Sequence, residues 1–115
     1  MTQHDDTVSL RHMLDHAQEA LSMASGQQRQ DLKKDRKLEL ALVRLIEIIG
    51  DAAGRVSQEG RDKYSSIPWP QIIGMRNRLI HGYDQVDLNL LWDTIEIDLP
   101  PLISKLKKNL GSKVT

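Results

Sequence analysis

The stretch Leu38-Glu-Leu-Ala-Leu-Val-Arg-Leu-Ile-Glu-Ile-Ile-Gly-Asp-Ala-Ala53 decides the architecture. Leu38, Ala41, Leu42, Leu45, Ile46, Ile48, Ile49, Ala52 and Ala53 recur at steps of three and four, the period of a helix, and they cover too wide an arc for burial on one side only. Asp35 or Asp31 can cap its start. Gly50 falls inside the pattern, where glycine costs about 1 kcal/mol relative to alanine unless another backbone must approach closely. It reads as a close-packing position.

Working outward, Val8 to Ala24 carries a second stripe through Leu10, Met13, Leu14, Ala17, Ala20, Leu21 and Ala24, with Thr7 as its expected N-cap and a polar loop over about 25–34 after it. Beyond Gly54, the polar run Arg55 to Ser66 reads as a loop with room for one short helical turn. Ile67-Pro68-Trp69-Pro70 opens a third helix, because proline fits a first turn and disfavours helix just before it. Ile72, Ile73, Arg76, Leu79 and Ile80 carry that helix to His81-Gly82. Asp87 can cap a fourth, in which Leu91, Trp92, Ile95, Leu99, Leu102, Ile103, Leu106 and Leu110 keep one register across Pro100 and Pro101, predicting a kinked helix rather than two separate ones.

No segment alternates as a strand would, and there is no internal repeat. The chain therefore reads as an all-α, up-and-down bundle of about four to five helices in one domain over 1–115, with 1–6 and 111–115 frayed. The wide apolar face of the second helix predicts a homodimer.

Composition narrows the function. Sixteen basic and sixteen acidic residues give a net charge of +0, which disfavours a duplex-DNA binder driven by bulk positive charge; no DNA target is expected. The absence of cysteine removes disulfides, thiol catalysis and Cys-based zinc sites, and makes the cytoplasm the expected compartment. No apolar run is long enough for a membrane span, and Met1 to Asp6 does not read as a signal peptide. The neutral total hides a polarised chain. Lys33, Lys34, Arg36 and Lys37 cluster, as do Lys105, Lys107, Lys108 and Lys113, whereas Asp84, Asp87, Asp93, Glu96 and Asp98 occupy a stretch without a basic residue. Such charge runs usually form solvated faces, although a polyanion would follow the positive regions and a basic partner would meet the negative one. Both tryptophans are expected in the core or an interface, which leaves base stacking to Tyr83 and Tyr64.

The densest chemistry lies in Arg76-Asn77-Arg78-Leu79-Ile80-His81-Gly82-Tyr83. On a continuous helix Asn77 and His81 share a face, but Arg76 and His81 are rotated about 140° apart. Either the helix end at Gly82 reorients His81, or a second protomer completes the site. The plain alternative is a helix C-terminus with His81 on the dipole and Arg78 solvated. Glu47 and Asp51, four apart and flanked by Arg44 and Arg55, form either a solvated ladder of ion pairs or a carboxylate that orients Arg76 or His81. His12 and His16 are also four apart but lack a third ligand, so no metal site is expected.

Arg76, four residues, His81, one residue and Tyr83, together with Asn77, resembles the signature of the HEPN superfamily. The surroundings resemble its HepT-like toxin branch: Glu47-Ile-Ile-Gly50-Asp51-Ala-Ala, Ile67-Pro-Trp69, and Trp92 with Asp98-Leu-Pro100. The likeness covers about residues 36 to 103 and departs at Asp51, where the family favours Glu. It implies a helical homodimer with its two motifs in a shared cleft, acting as a metal-independent endoribonuclease without a cofactor. Arg76 and His81 carry over as catalytic, Asn77 as supporting, and Tyr83 as the residue onto which an MNT-type nucleotidyltransferase antitoxin transfers AMP. The chemistry suits these residue types. Attack by a ribose 2′-hydroxyl needs a proton acceptor active near neutral pH and a cation for the charge on the phosphorane, which imidazole and guanidinium supply. A non-catalytic HEPN module that binds nucleotide, or serves as the dimeric partner of a nucleotidyltransferase, is the competing expectation.

Overall fold

The computed structural model describes residues 5–82 and 85–111. Helix α1 (Asp6–Ala24) is capped by Asp5, whose carboxylate accepts from the Thr7 amide at 3.0 Å and from the Thr7 hydroxyl at 2.6 Å. The cap is therefore Asp5 and not Thr7: the helix begins at Asp6, which places Thr7 inside the first turn, where its hydroxyl donates to the Asp5 carboxylate. Asp6, expected to fray, is instead tied to the chain beyond α3, accepting from the Ser57 amide at 3.0 Å and from its hydroxyl at 2.5 Å. The remaining residues expected to fray lie outside the described set, apart from Gly111, which follows the last helix.

The loop expected over 25–34 contains a short helix, α2 (Asp31–Lys34), because Leu32, the one large apolar residue there, is buried in the core. Asp35 then caps α3 (Arg36–Gly54) by accepting from the Leu38 amide at 3.0 Å. Helix α4 (Gln58–Lys63) is the single short turn foreseen between the main helices.

Helix α3 is the central element. Helix α1 packs along one side of it, and α5 (Trp69–Ile73), α6 (Met75–Leu79) and α7 (Leu88–Asp93) pack on the other. Leu10, Met13, Leu42, Ile46, Ile49 and Ile95 are wholly buried between these layers. This arrangement covers the wide apolar arc of α3 within one chain, so the width of that arc does not by itself require a second copy. Gly50 is the close-packing position its sequence context predicts: a Cβ there would stand 3.3 Å from the Ile72 carbonyl oxygen and 3.4 Å from that of Ile73. The missing side chain lets the end of α5 lie against α3, which fixes where α6 begins.

The third helix of the sequence reading is two helices interrupted at Gly74, and it ends at Leu79 rather than at His81-Gly82. Ile80 is extended, with φ −107° and ψ 119°, and Ile80–His81 (β1) pairs antiparallel with Gln85–Val86 (β2). The hairpin corrects the expectation of no strand. Its physical cause is Gly82, whose φ of +75° turns the chain back, and the Asp87 amide donating to the Leu79 carbonyl at 2.8 Å closes its base.

Asp87 caps α7 as foreseen, accepting from the Leu90 amide at 3.0 Å. The helical path then runs through a π-helical turn (Thr94–Asp98) into α8 (Leu99–Leu110). The irregularity thus falls one turn before Pro100-Pro101. Leu91, Ile95 and Leu99 are each four residues apart and fully buried, a spacing that drifts about 40° per step on a regular α-helix and that a wider π-turn holds in line. Trp69 and Trp92 are buried, as expected. Tyr64 is buried too, which removes it as a stacking platform. No helix among the described residues is long and apolar enough to cross a membrane.

Candidate active site

Arg76 projects from α6 toward α3. Its Nε donates to Glu47 Oε2 at 2.7 Å, and Glu47 Oε1 accepts from Arg44 Nη1 at 2.5 Å. One carboxylate therefore joins both readings of the acidic pair: it makes an ordinary contact one helical turn back, and it also holds the motif arginine. Such a pair at the surface adds little stability. Its effect is on direction. With Nε committed to Glu47, the outer edge of the Arg76 guanidinium, formed by its two Nη groups, makes no hydrogen bond among the described residues. That planar edge is the one that grips a phosphate with two parallel bonds.

The Glu47 carboxyl is held below its ordinary value of 4.5, first by the hydrogen bond from Arg44, partly opposed by burial, and further by the bond from Arg76. The tether is thus complete above the ordinary value and is lost only as the pH falls through the lowered one. Following the Glu47 side-chain carbon by NMR is expected to give a midpoint below 4.5, and Arg44→Ala is expected to move it upward. A midpoint at or above 4.5 in the parent protein would contradict the tether.

His81 lies in β1 with its side chain 63% exposed, and its Nε2 is 4.0 Å from Asp87 Oδ2, an ion pair when the imidazole is protonated. Because α6 stops at Leu79, the rotational separation of Arg76 and His81 on a regular helix does not apply: the chain redirects His81 by leaving the helix before reaching it. No hydrogen bond joins Arg76 to His81 within the chain, so the two groups stand in separate contacts, one on Glu47 and the other facing Asp87. Asp87 is the site neighbour that sequence reasoning saw only as a helix cap. Asn77 is exposed on α6 beside Arg76. Asp51 makes no hydrogen bond or ion pair with Arg76; it stands one turn beyond Glu47 and borders a groove against α1. Tyr83 lies outside the described residues. His16 Nδ1 donates to the His12 carbonyl at 2.7 Å, which commits that nitrogen to the helix backbone. The acidic stretch after Asp87 is met by a distant cation, since Arg29 Nη2 reaches Asp93 Oδ1 at 2.7 Å.

Fold and site together define a small HEPN-like helical domain. The family model described as ribonuclease HepT-like matches residues 13–109, and the chain belongs to that family. A protein of Caldanaerobacter subterraneus, provisionally named an RNase, is 38% identical over 101 residues, covering 88% of this chain and 90% of the relative. One from Thermococcus cleftensis, provisionally named a ribonuclease HepT, is 37% identical over 79 residues, covering 69% and 72%. A third, from Methanocaldococcus jannaschii and also provisionally named an RNase, is 29% identical over 110 residues, covering 96% and 97%. No solved structure matches the chain.

Proposed function

We propose that the protein is a HepT-like toxin: a metal-independent endoribonuclease that uses Arg76 and His81 and is silenced by an MNT-type nucleotidyltransferase antitoxin. The observation that carries this reading is the Glu47 tether, which leaves the phosphate-gripping edge of Arg76 open on a chain of a ribonuclease family. In the reaction, His81 removes the proton from a ribose 2′-hydroxyl, the oxygen attacks the adjacent phosphorus, and Arg76 stabilises the charge that builds on the phosphorane. The bond from phosphorus to the 5′-oxygen breaks, that oxygen takes a proton from water, and a 2′,3′-cyclic phosphate remains on the other fragment. The scheme calls for a homodimer, because Arg76 and His81 are not joined within one chain and a facing motif would supply the missing partner. Purified protein is expected to cut single-stranded RNA in excess EDTA; complete dependence on added Mg²⁺ would overturn the mechanism.

Tyr83 is the proposed point of control. Its phenol oxygen attacks the α-phosphorus of ATP bound to the antitoxin, pyrophosphate leaves, and the attached AMP brings negative charge and bulk to the approach of Arg76. Incubation with the cognate transferase and ATP is expected to raise the intact mass in whole AMP units and to abolish cleavage without unfolding. Tyr83→Phe is expected to show neither change. A mass increase that persists in that variant would remove Tyr83 from the mechanism.

A further inference from the structure

Helix α3 presents a second set of polar groups on the flank away from α6. Relative to Arg44, Asp51 and Arg55 lie within about 20° of one line along the helix, while Glu47 turns toward Arg76 on one side and Ile48 toward α1 on the other. Between α1 and α3 this line borders an open groove of about 440 Å³, with His12, Arg44, Asp51 and Arg55 around it and Val8 and Ile48 as its apolar walls. Asp51 and Arg55 are four apart, an order that favours pairing on a helix, yet no ion pair joins them. The Arg55 guanidinium makes no hydrogen bond to any described residue. A groove with two arginines and one aspartate along its rim, an imidazole and apolar walls offers the two parts of a single-strand nucleic-acid site, a cation for a backbone phosphate and an apolar surface for a base.

Arg44 links the groove to the candidate active site, since it borders the one and bonds the same Glu47 that holds Arg76. From the level of Glu47 to Arg55 is eight residues, about 12 Å along the helix axis. That distance corresponds to roughly three or four nucleotides of stacked strand at about 3.4 Å each.

We propose that the α1–α3 groove is a distal subsite for the RNA strand, in which Arg55 receives a phosphate three or four nucleotides from the one at Arg76 and a base lies between His12 and the Val8–Ile48 walls. This rests on the ribonuclease reading above and extends it to substrate length: the protein selects RNA long enough to span both arginines over a single dinucleotide. Concavity and the Arg55 guanidinium favour a flexible polyanion: Arg44 is already bonded to Glu47 and Asp51 stands between the two arginines, so a phosphate is placed at Arg55 and not along the whole line.

The test compares parent, Arg55→Ala and Arg55→Lys. Binding of a non-cleavable 2′-O-methyl RNA decamer is followed by fluorescence anisotropy across a salt series, and cleavage of an RNA decamer is compared with that of a dinucleoside monophosphate. Arg55→Ala is expected to weaken decamer binding about 5-fold or more and to reduce the log–log salt slope by about 0.7, the signature of one lost phosphate contact on a single strand. The ratio of kcat/KM for decamer over dinucleotide should fall by a similar factor through KM, and Arg55→Lys should restore the slope. An unchanged slope and ratio would overturn the subsite. So would equal losses on both substrates with a halved mass by light scattering, which would make the groove an interface between copies. Failure of the parent to bind or cut any RNA would instead remove the ribonuclease reading itself.

Discussion

Replacing Arg76 by alanine is expected to lower RNA cleavage by about 100-fold or more, the usual cost of removing one preorganised electrostatic donor from a transition state. The fold should survive, because Arg76 is exposed on α6 and its single cross-element bond, to Glu47, is a surface pair of small energetic weight. Near-native circular dichroism and thermal midpoint should therefore accompany the loss of activity. Glu47→Gln gives an informative intermediate. It keeps a hydrogen-bond acceptor for Nε but removes the charge, so it should lower kcat less than Arg76→Ala does. Cleavage by Arg76→Ala at the parent rate would sink the assignment of this arginine.

The second large effect is expected at His81. Removing a positioned acid–base group costs about 10²–10⁴-fold, so His81→Ala should leave at most about 1% of the activity at neutral pH. Its side chain is exposed and contributes nothing to the core, which again separates chemistry from folding. Asp87 needs a more careful substitution, because one of its oxygens faces His81 while the other caps α7. Asp87→Ala would lose the cap at about 1 kcal/mol. Asp87→Asn keeps a capping oxygen and removes only the charge, so any change it makes to the pH profile belongs to His81. Parent-level cleavage by His81→Ala would remove the imidazole from the mechanism.

Much of this was legible in the chain. The stripe of α3 and its cap at Asp35 or Asp31, like the cap at Asp87, follow from local rules, since each depends on neighbours three or four positions away, and Gly50 stood out because a glycine is costly inside such a stripe. What escaped depended on contacts between elements. Leu32 looked like one apolar residue in a polar loop until its burial made a helix of its surroundings. The early end of α6 was hidden because Ile80 continues the helical spacing, and only pairing with Val86 shows that it has left the helix. The π-turn did leave a trace in the strict four-residue spacing of Leu91, Ile95 and Leu99, whose drift on a regular helix is calculable. For the site, it was the resemblance of the motif to the HEPN signature that singled out Arg76, His81 and Tyr83, since spacing alone also fitted an ordinary helix end. The choice of Glu47 over Asp51 as the carboxylate that meets Arg76 could not be read from an i, i+4 pair, because it depends on which flank of α3 receives α6.

Glu47 and Gly50 are three residues apart on one helix, and they act on the same neighbour in different ways. Gly50 sets the height at which α5 crosses, and α6 with its arginine follows directly from that crossing; Glu47 then grips the arginine delivered there. Mechanically the two positions are one unit. A change at the glycine would shift the arginine's mounting by tenths of an ångström without touching it, and no exchange at position 47 could restore the lost alignment by charge alone. Substitution should therefore be tolerated along the outer faces of the other helices well before it is tolerated at the crossing, where the spacing between two backbones serves as the gauge for the chemistry.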